Sequence, residues 1–305
     1  FADAGRSDHY AAYLAQGGLG LPDEAFYRED SFAPVREAYV AHIARMLTLA
    51  GTDETEAAAA ADRVMALETR LASHHWDNVR DRDANATYNP HERAELEALA
   101  PGVAWEAWLD GLGAPAGTLD RVIVREPSFV TALGEALHDV PLDDWKVWLR
   151  WHVLRASASL LSSRFVDADF DFYGRTLTGA PEVKARWKRG VAVVESALAE
   201  AVGKLYVAEH FPPEAKAQML DLVANLIEAY RRSITDLPWM TDETRARALA
   251  KLEQFTPKVG YPDRWRDYSA LEIDRTDLVG NLRRAASFEA DRDLGRIGQP
   301  VDTDE

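Results

Sequence analysis

Met219-Leu220-Asp221-Leu222-Val223-Ala224-Asn225-Leu226-Ile227-Glu228-Ala229-Tyr230 is the stretch whose reading decides the fold. Met219, Leu222, Val223, Leu226, Ile227 and Tyr230 recur three or four residues apart, which places them on one face of an α-helix. Downstream, Pro238 stops this helix and Thr241 caps another through Ala248, Leu252 and Phe255. Pro257, Gly260 and Pro262 then break the chain. Upstream, Pro212-Pro213 ends a stripe of Val191, Val194, Leu198, Ala201, Val202 and Leu205.

The first half reads the same way. Val35, Tyr39, Ile43, Met46, Leu47 and Ala50 share a helical face, and Gly51 ends that helix. The Ala57–Ala61 block continues to Val64, Leu67 and Leu71 on the next. Asn89-Pro90 has the form of an N-cap followed by Pro at the first helical position. Further helices follow Pro101, with Trp105, Trp108, Leu109 and Leu112, and start at Pro127 and at Asp143-Asp144. Val122-Ile123-Val124 suits one short strand. Only the N-terminus reads otherwise: Tyr10 to Gln16 is a β element, Asp3 to Asp8 its turn, and Phe1-Ala2 the stump of a preceding strand. Gly17, Gly18, Gly20 and Pro22 then break the chain. The expected fold is mainly α, a multi-helix lobe with a small β element at the N-terminus.

Hydrophobic residues make up 47% of the 305, the composition of an ordinary folded chain. No stretch approaches the ~18–20 apolar residues of a membrane helix. Acidic residues outnumber basic ones by 51 to 35, a net charge of −16, which repels polyanions and argues against nucleic acid as a partner. There is no cysteine, which removes disulfides, thiolate nucleophiles and cysteine-ligated zinc together.

Residue types alone assemble no catalytic or metal-binding constellation. His91-Glu92-Arg93-Ala94-Glu95 begins like the zinc motif H-E-x-x-H, but Glu95 stands where the second histidine belongs. Glu92 and Glu95 read instead as first-turn acids of a capped helix. Asp167, Asp169 and Asp171 imitate the start of a calcium loop, yet Phe172 and Thr178 occupy the positions that need Gly and Glu. Trp145, Trp148 and Trp151 recur at helical spacing and read as core. His74 and His75 are adjacent, so a helix points them apart.

Three longer stretches carry a resemblance. They are Gln16-Gly17-Gly18-Leu19-Gly20-Leu21-Pro22-Asp23 with Phe26-Tyr27; Tyr173 to Gly179 with Arg186-Trp187, Ala201 to Val207 and Phe211; and Leu237 to Thr244 with Ala248, Lys251 and Val259-Gly260-Tyr261-Pro262. Together, in this order, they resemble the N-terminal region of the neprilysin and endothelin-converting-enzyme family of zinc metallopeptidases, nearest its bacterial branch. Mammalian members have Cys where this chain has Gly190.

The resemblance implies two largely helical lobes around a cavity, one carrying zinc and the other a lid that selects peptides by size. Residues 1–22 would be the β element and turn, 23–262 the helical lid lobe, and 263–305 a connecting segment toward the catalytic lobe. The family's Asn-Ala-Tyr-Tyr, H-E-x-x-H and E-x-x-x-D segments would lie beyond Glu305, so no catalytic or metal residue is assigned here. Zinc belongs to the parent enzyme and not to this chain. The partners implied are the catalytic C-terminal lobe and peptide substrates, and the setting is bacterial, exported or envelope-associated. The start at Phe1 and the end before these motifs read as a fragment. Its bare apolar surface is expected near Phe1 and beyond Pro262. The rival expectation is a stand-alone, non-catalytic helical binding module.

Overall fold

The computed structural model describes residues 1–303. Two compact units make up the described residues, 1–185 with 273–301 and 186–272 with 302–303. The first unit begins with β1 (Ala2–Asp3), β2 (Arg6–Tyr10) and β3 (Ala12–Leu14), followed by α1 (Ala25–Arg28), α2 (Ala33–Leu49) and α3 (Glu54–Ala72). It continues through β4 (Pro90–Glu92), α4 (Arg93–Leu99), α5 (Trp105–Leu112), β5 (Arg121–Val124), α6 (Pro127–Asp139), α7 (Leu142–Ser157) and α8 (Ser163–Asp169). The second unit holds α9 (Arg186–Ala197), α10 (Ala199–His210), α11 (Pro213–Asp236) and α12 (Asp242–Glu253), and α13 (Leu278–Arg296) belongs to the first unit again. The fold is mainly α with a few short strands, as the periodicity requires.

The main core of the first unit is the α2–α3 pair. Tyr39, Ile43, Met46 and Leu47 on α2 meet Ala57, Ala60, Ala61 and Val64 on α3, and the small alanines let the two backbones approach closely. Asp53 starts α3 by accepting the Thr55 amide at 2.9 Å. Trp151 of α7, Phe165 and Ala168 of α8, and Phe172 complete the core. Asp169 and Asp171 fall where α8 passes directly into a π-helical segment, Phe170–Thr176, so the aspartates lie along a helix and not in a loop.

A three-stranded sheet seeds a second core. β5 lies in the middle, parallel to β3 (Ala12↔Val122) and antiparallel to β4 (His91↔Val122). Val122, Ile123 and Val124 are all fully buried, which explains an unbroken apolar run in place of alternation. Leu96, Trp105, Leu109 and Leu119 pack with it.

Several local expectations change. The Asp3–Asp8 stretch is not merely a turn: residues from Arg6 onward form β2, paired antiparallel with β1. Asn89-Pro90 does not start a helix. Pro90–Glu92 pairs as an edge strand, a position where proline's missing N–H costs nothing. The helix begins three residues later, with the Glu95 carboxyl accepting the Glu92 amide at 2.8 Å. The stripe from Val191 to Leu205 is not one helix either. Leu198 leaves helical geometry at φ −137°, ψ 42°, and divides it into α9 and α10.

In the second unit the 257–266 segment is tied down by Lys216, whose Nζ donates to the Tyr261 carbonyl at 2.9 Å and pairs with Asp263 at 2.6 Å. Gly260 lies at φ +73°, where a Cβ would also approach the Phe211 ring to 2.7 Å, so glycine is required there on both counts. The turn before α12 is held by Arg245, which donates to the carbonyls of Ile234, Thr235, Leu237 and Met240. Trp239, in this turn, is exposed.

Candidate functional site

The Gly-rich stretch Gln16–Leu21 is where the first unit concentrates its buried polar chemistry. A helix-packed core leaves no regular backbone partners for such a segment, so side chains must supply them. The Glu68 carboxyl, fully buried on α3, is the hub. It accepts the Tyr27 hydroxyl at 2.6 Å, the Tyr39 hydroxyl at 3.0 Å and the Gly20 amide at 3.1 Å, and His152 Nε2 lies 2.9 Å away. The Tyr27 hydroxyl in turn accepts the amides of Gly20 and Leu21 at 3.0 and 2.9 Å. Trp151 Nε1 donates to Tyr39 at 2.8 Å, which leaves the Tyr39 proton for Glu68.

The loop's carbonyls are held just as fully. Tyr173 donates to Gly20 O at 3.1 Å, Trp148 to Gly18 O at 3.2 Å, and His75 Nε2 lies 3.0 Å from Gly17 O. A Cβ on Gly20 would overlap the Tyr39 hydroxyl, so glycine here is a packing requirement. Burial, reinforced by Glu68, pushes the Tyr27 and Tyr39 hydroxyls well above the usual phenol range. Both stay protonated and donate at any physiological pH. The expected core role of the tryptophans holds for Trp151, which is fully buried, and for Trp148 packed beside it.

A second cluster fixes the start of the same loop. Glu126, at the head of α6, accepts the Gln16 amide at 2.7 Å and Arg125 Nε at 3.3 Å. Arg125 also reaches Asp81 at 3.0 Å, and the Gln16 side chain grips both backbone groups of Trp76. Burial, followed by the hydrogen bond to Asp81, pushes Glu126 up from 4.5 to about 7. The same hydrogen bond, with Arg125, holds Asp81 below the usual carboxyl range. Below about pH 7 Glu126 therefore holds a proton while Asp81 is ionised.

The signs of the two shifts differ. The folded state retains the Glu126 proton that the unfolded chain releases, so stability falls as pH rises from 4.5 to about 7. Asp81 contributes above 3.8, and that contribution is lost as pH falls. Glu126→Gln, which cannot ionise, should therefore lose less stability than the native chain between about pH 5 and pH 8 in urea titrations. Identical pH slopes for the two proteins would show that Glu126 does not carry a proton in the fold.

None of this arrangement is reactive. Its hydroxyls are committed donors and its carboxyl is saturated, so its chemistry is positional. His91, the residue nearest a zinc motif, lies on β4 with Nδ1 at 2.9 Å from the Asn89 carbonyl, and Glu95 is engaged in the α4 cap. His91 and Glu95 thus share no helical face. Among the described residues no group of three or more His, Asp or Glu is placed to hold a metal ion, so the residues present do not fit a zinc centre. No helix among them is long and apolar enough to cross a membrane.

The reading from sequence reached the Gly-rich stretch, Tyr27 and Tyr173 but missed Glu68 and His152. One signal was available: Glu68 continues the apolar face set by Ala57, Ala61, Val64 and Leu71, and a charge on such a face needs buried partners.

Comparison with known proteins agrees with this architecture. The N-terminal sequence profile of peptidase family M13 matches residues 1–262. The neutral endopeptidase of Lactobacillus helveticus is 26% identical over 99% of this chain and 46% of its own length. Human endothelin-converting enzyme 1 is 26% identical over 89% of this chain and 36% of its own. The zinc metalloprotease of Mycobacterium tuberculosis in its open state superposes with a TM-score of 0.93 at 48% identity, covering 100% of this chain and 47% of that one. The chain thus spans about half the length of the bacterial relatives it matches. With the profile running through both units and the fold reproduced along its whole length, the chain belongs to peptidase family M13.

Proposed function

We propose that this chain is the non-catalytic half of a zinc metalloendopeptidase, forming the lid and wall of its peptide-binding cavity and taking no part in bond cleavage. The observation that carries the reading is the match itself: all of this chain corresponds to about half of a zinc metalloprotease. In this reading 1–22 is the β element and turn, 23–262 the lid lobe and 263–305 the connection to the catalytic lobe. The parent acts on peptides, holds zinc through residues outside this chain, and works in an exported or envelope-associated setting.

The test is reconstitution. Co-expression with the remaining half of the Mycobacterium tuberculosis zinc metalloprotease should give a soluble complex that cleaves a fluorogenic peptide library and is stopped by a chelator. The chain alone should cleave nothing in a chelator-sensitive way. Two halves that stay monomeric, folded and separate would instead favour a stand-alone helical binding module. Chelator-sensitive cleavage by the repurified chain alone would also overturn the reading.

A further inference from the structure

The second unit is built inside out by the standards of the first. On α2 and α3, helices of 17 and 19 residues, whole faces are buried; on α9, α10, α11 and α12 no residue is. Seven of the exposed large apolar side chains fall in two series. Trp187, Val191 and Val194 recur along α9 at intervals of four and three. Met219, Leu222, Leu226 and Tyr230 do the same along α11, at intervals of three, four and four. Their exposures run from 42% for Met219 to 68% for Trp187.

Each series is therefore one continuous ridge on one helix, the pattern that normally faces a core. On α11 the neighbouring ridge of Val223 and Ile227 is half-covered in a unit where α11 packs on α12. The open ridge lies beside it, about 60–100° around the helix axis. Monomers seldom leave apolar patches beyond a few hundred Å² uncovered.

We infer that the α9 and α11 ridges are the docking face for the other half of the same peptidase, which lays apolar surface along both helices. The inference rests on the proposed function and adds the surface through which the halves join. Two observations select this occupant. The family profile runs unbroken to residue 262, through all four helices, so the ridges belong to proteins of the family's full length. Those proteins have more than half their length outside this chain, 53% in the Mycobacterium tuberculosis structure. The surface expected at the ends of the chain exists as well, at Phe1, Ile273 and Leu278, but it does not form a ridge along one helix.

The test uses the full 305-residue chain, the double variant Leu222→Glu/Leu226→Glu, and Val79→Glu, which alters an exposed apolar residue of the first unit. Each is mixed with the remaining half of the Mycobacterium tuberculosis zinc metalloprotease, and association is read by sedimentation and co-purification. Circular dichroism verifies that the variants fold. The native chain and Val79→Glu should associate equally, and the double variant at least tenfold more weakly. Hydroxyl-radical footprinting should show 187–194 and 219–230 open in the isolated chain and shielded in the complex.

Association unaffected by the double variant would overturn the docking face while leaving the proposed function standing. No association by the native chain would remove both. Ridges already shielded in the isolated monomer, or a self-association that the double variant abolishes while heterologous binding persists, would assign the face to another occupant and overturn the inference.

Discussion

Glu68→Ala is expected to lower the unfolding free energy of the first unit by about 3–5 kcal/mol, among the largest losses available in the chain. The substitution removes the single acceptor shared by Tyr27, Tyr39 and the Gly20 amide, and the partner of His152. Two buried hydroxyls then lose the group they donate to, at a position that is fully buried in the native fold. Glu68→Gln keeps one acceptor oxygen but turns an NH₂ toward donors, and should cost about 1–3 kcal/mol. Urea unfolding followed by tyrosine and tryptophan fluorescence measures both. A Glu68→Ala protein within about 1 kcal/mol of native would mean the hub contributes little net stability.

Trp151→Ala should cost a similar ~3–5 kcal/mol, through a different mechanism. Its ring is wholly buried, edge-on to Tyr39 at 6.0 Å and to His42 at 5.5 Å, so truncation leaves a cavity between α2 and α7. It also removes the donor that orients the Tyr39 hydroxyl. The two sites are joined through Tyr39, so the double variant should lose clearly less than the two single losses combined. Trp108→Ala, at a residue 44% exposed, is the control and should change stability little. Additive losses at Glu68 and Trp151 would show that Tyr39 does not transmit between them.

The helices were legible because each is a local pattern. Tyr39, Ile43 and Met46 mark α2, the Ala57–Ala61 block marks α3, and Pro213 and Thr241 mark the starts of α11 and α12. The strand at Val122–Val124 was legible as a β-branched run, whereas its partner at Pro90–Glu92 was not. An edge strand of three residues has too little pattern to outweigh an Asn-Pro signal that reads as a helix start. In the candidate site the glycines announced a tight loop, but nothing local said what held it.

The sequence by itself determined the helical fold class, the order of most elements and, through three motifs in register, membership of a peptidase family. The tertiary structure decided which apolar faces are core and which are open. Periodicity places Trp151 and Leu222 equally well on an apolar helical face, yet Trp151 is fully buried and Leu222 is not. The physical reason is that a helix's stripe is a property of its own residues, whereas burial is a property of the neighbour that covers it. Glu68 makes the same point: its partners Tyr27, Tyr39 and His152 stand 41, 29 and 84 residues away in sequence, and only the packing of α1, α2, α3 and α7 brings them within hydrogen-bonding distance.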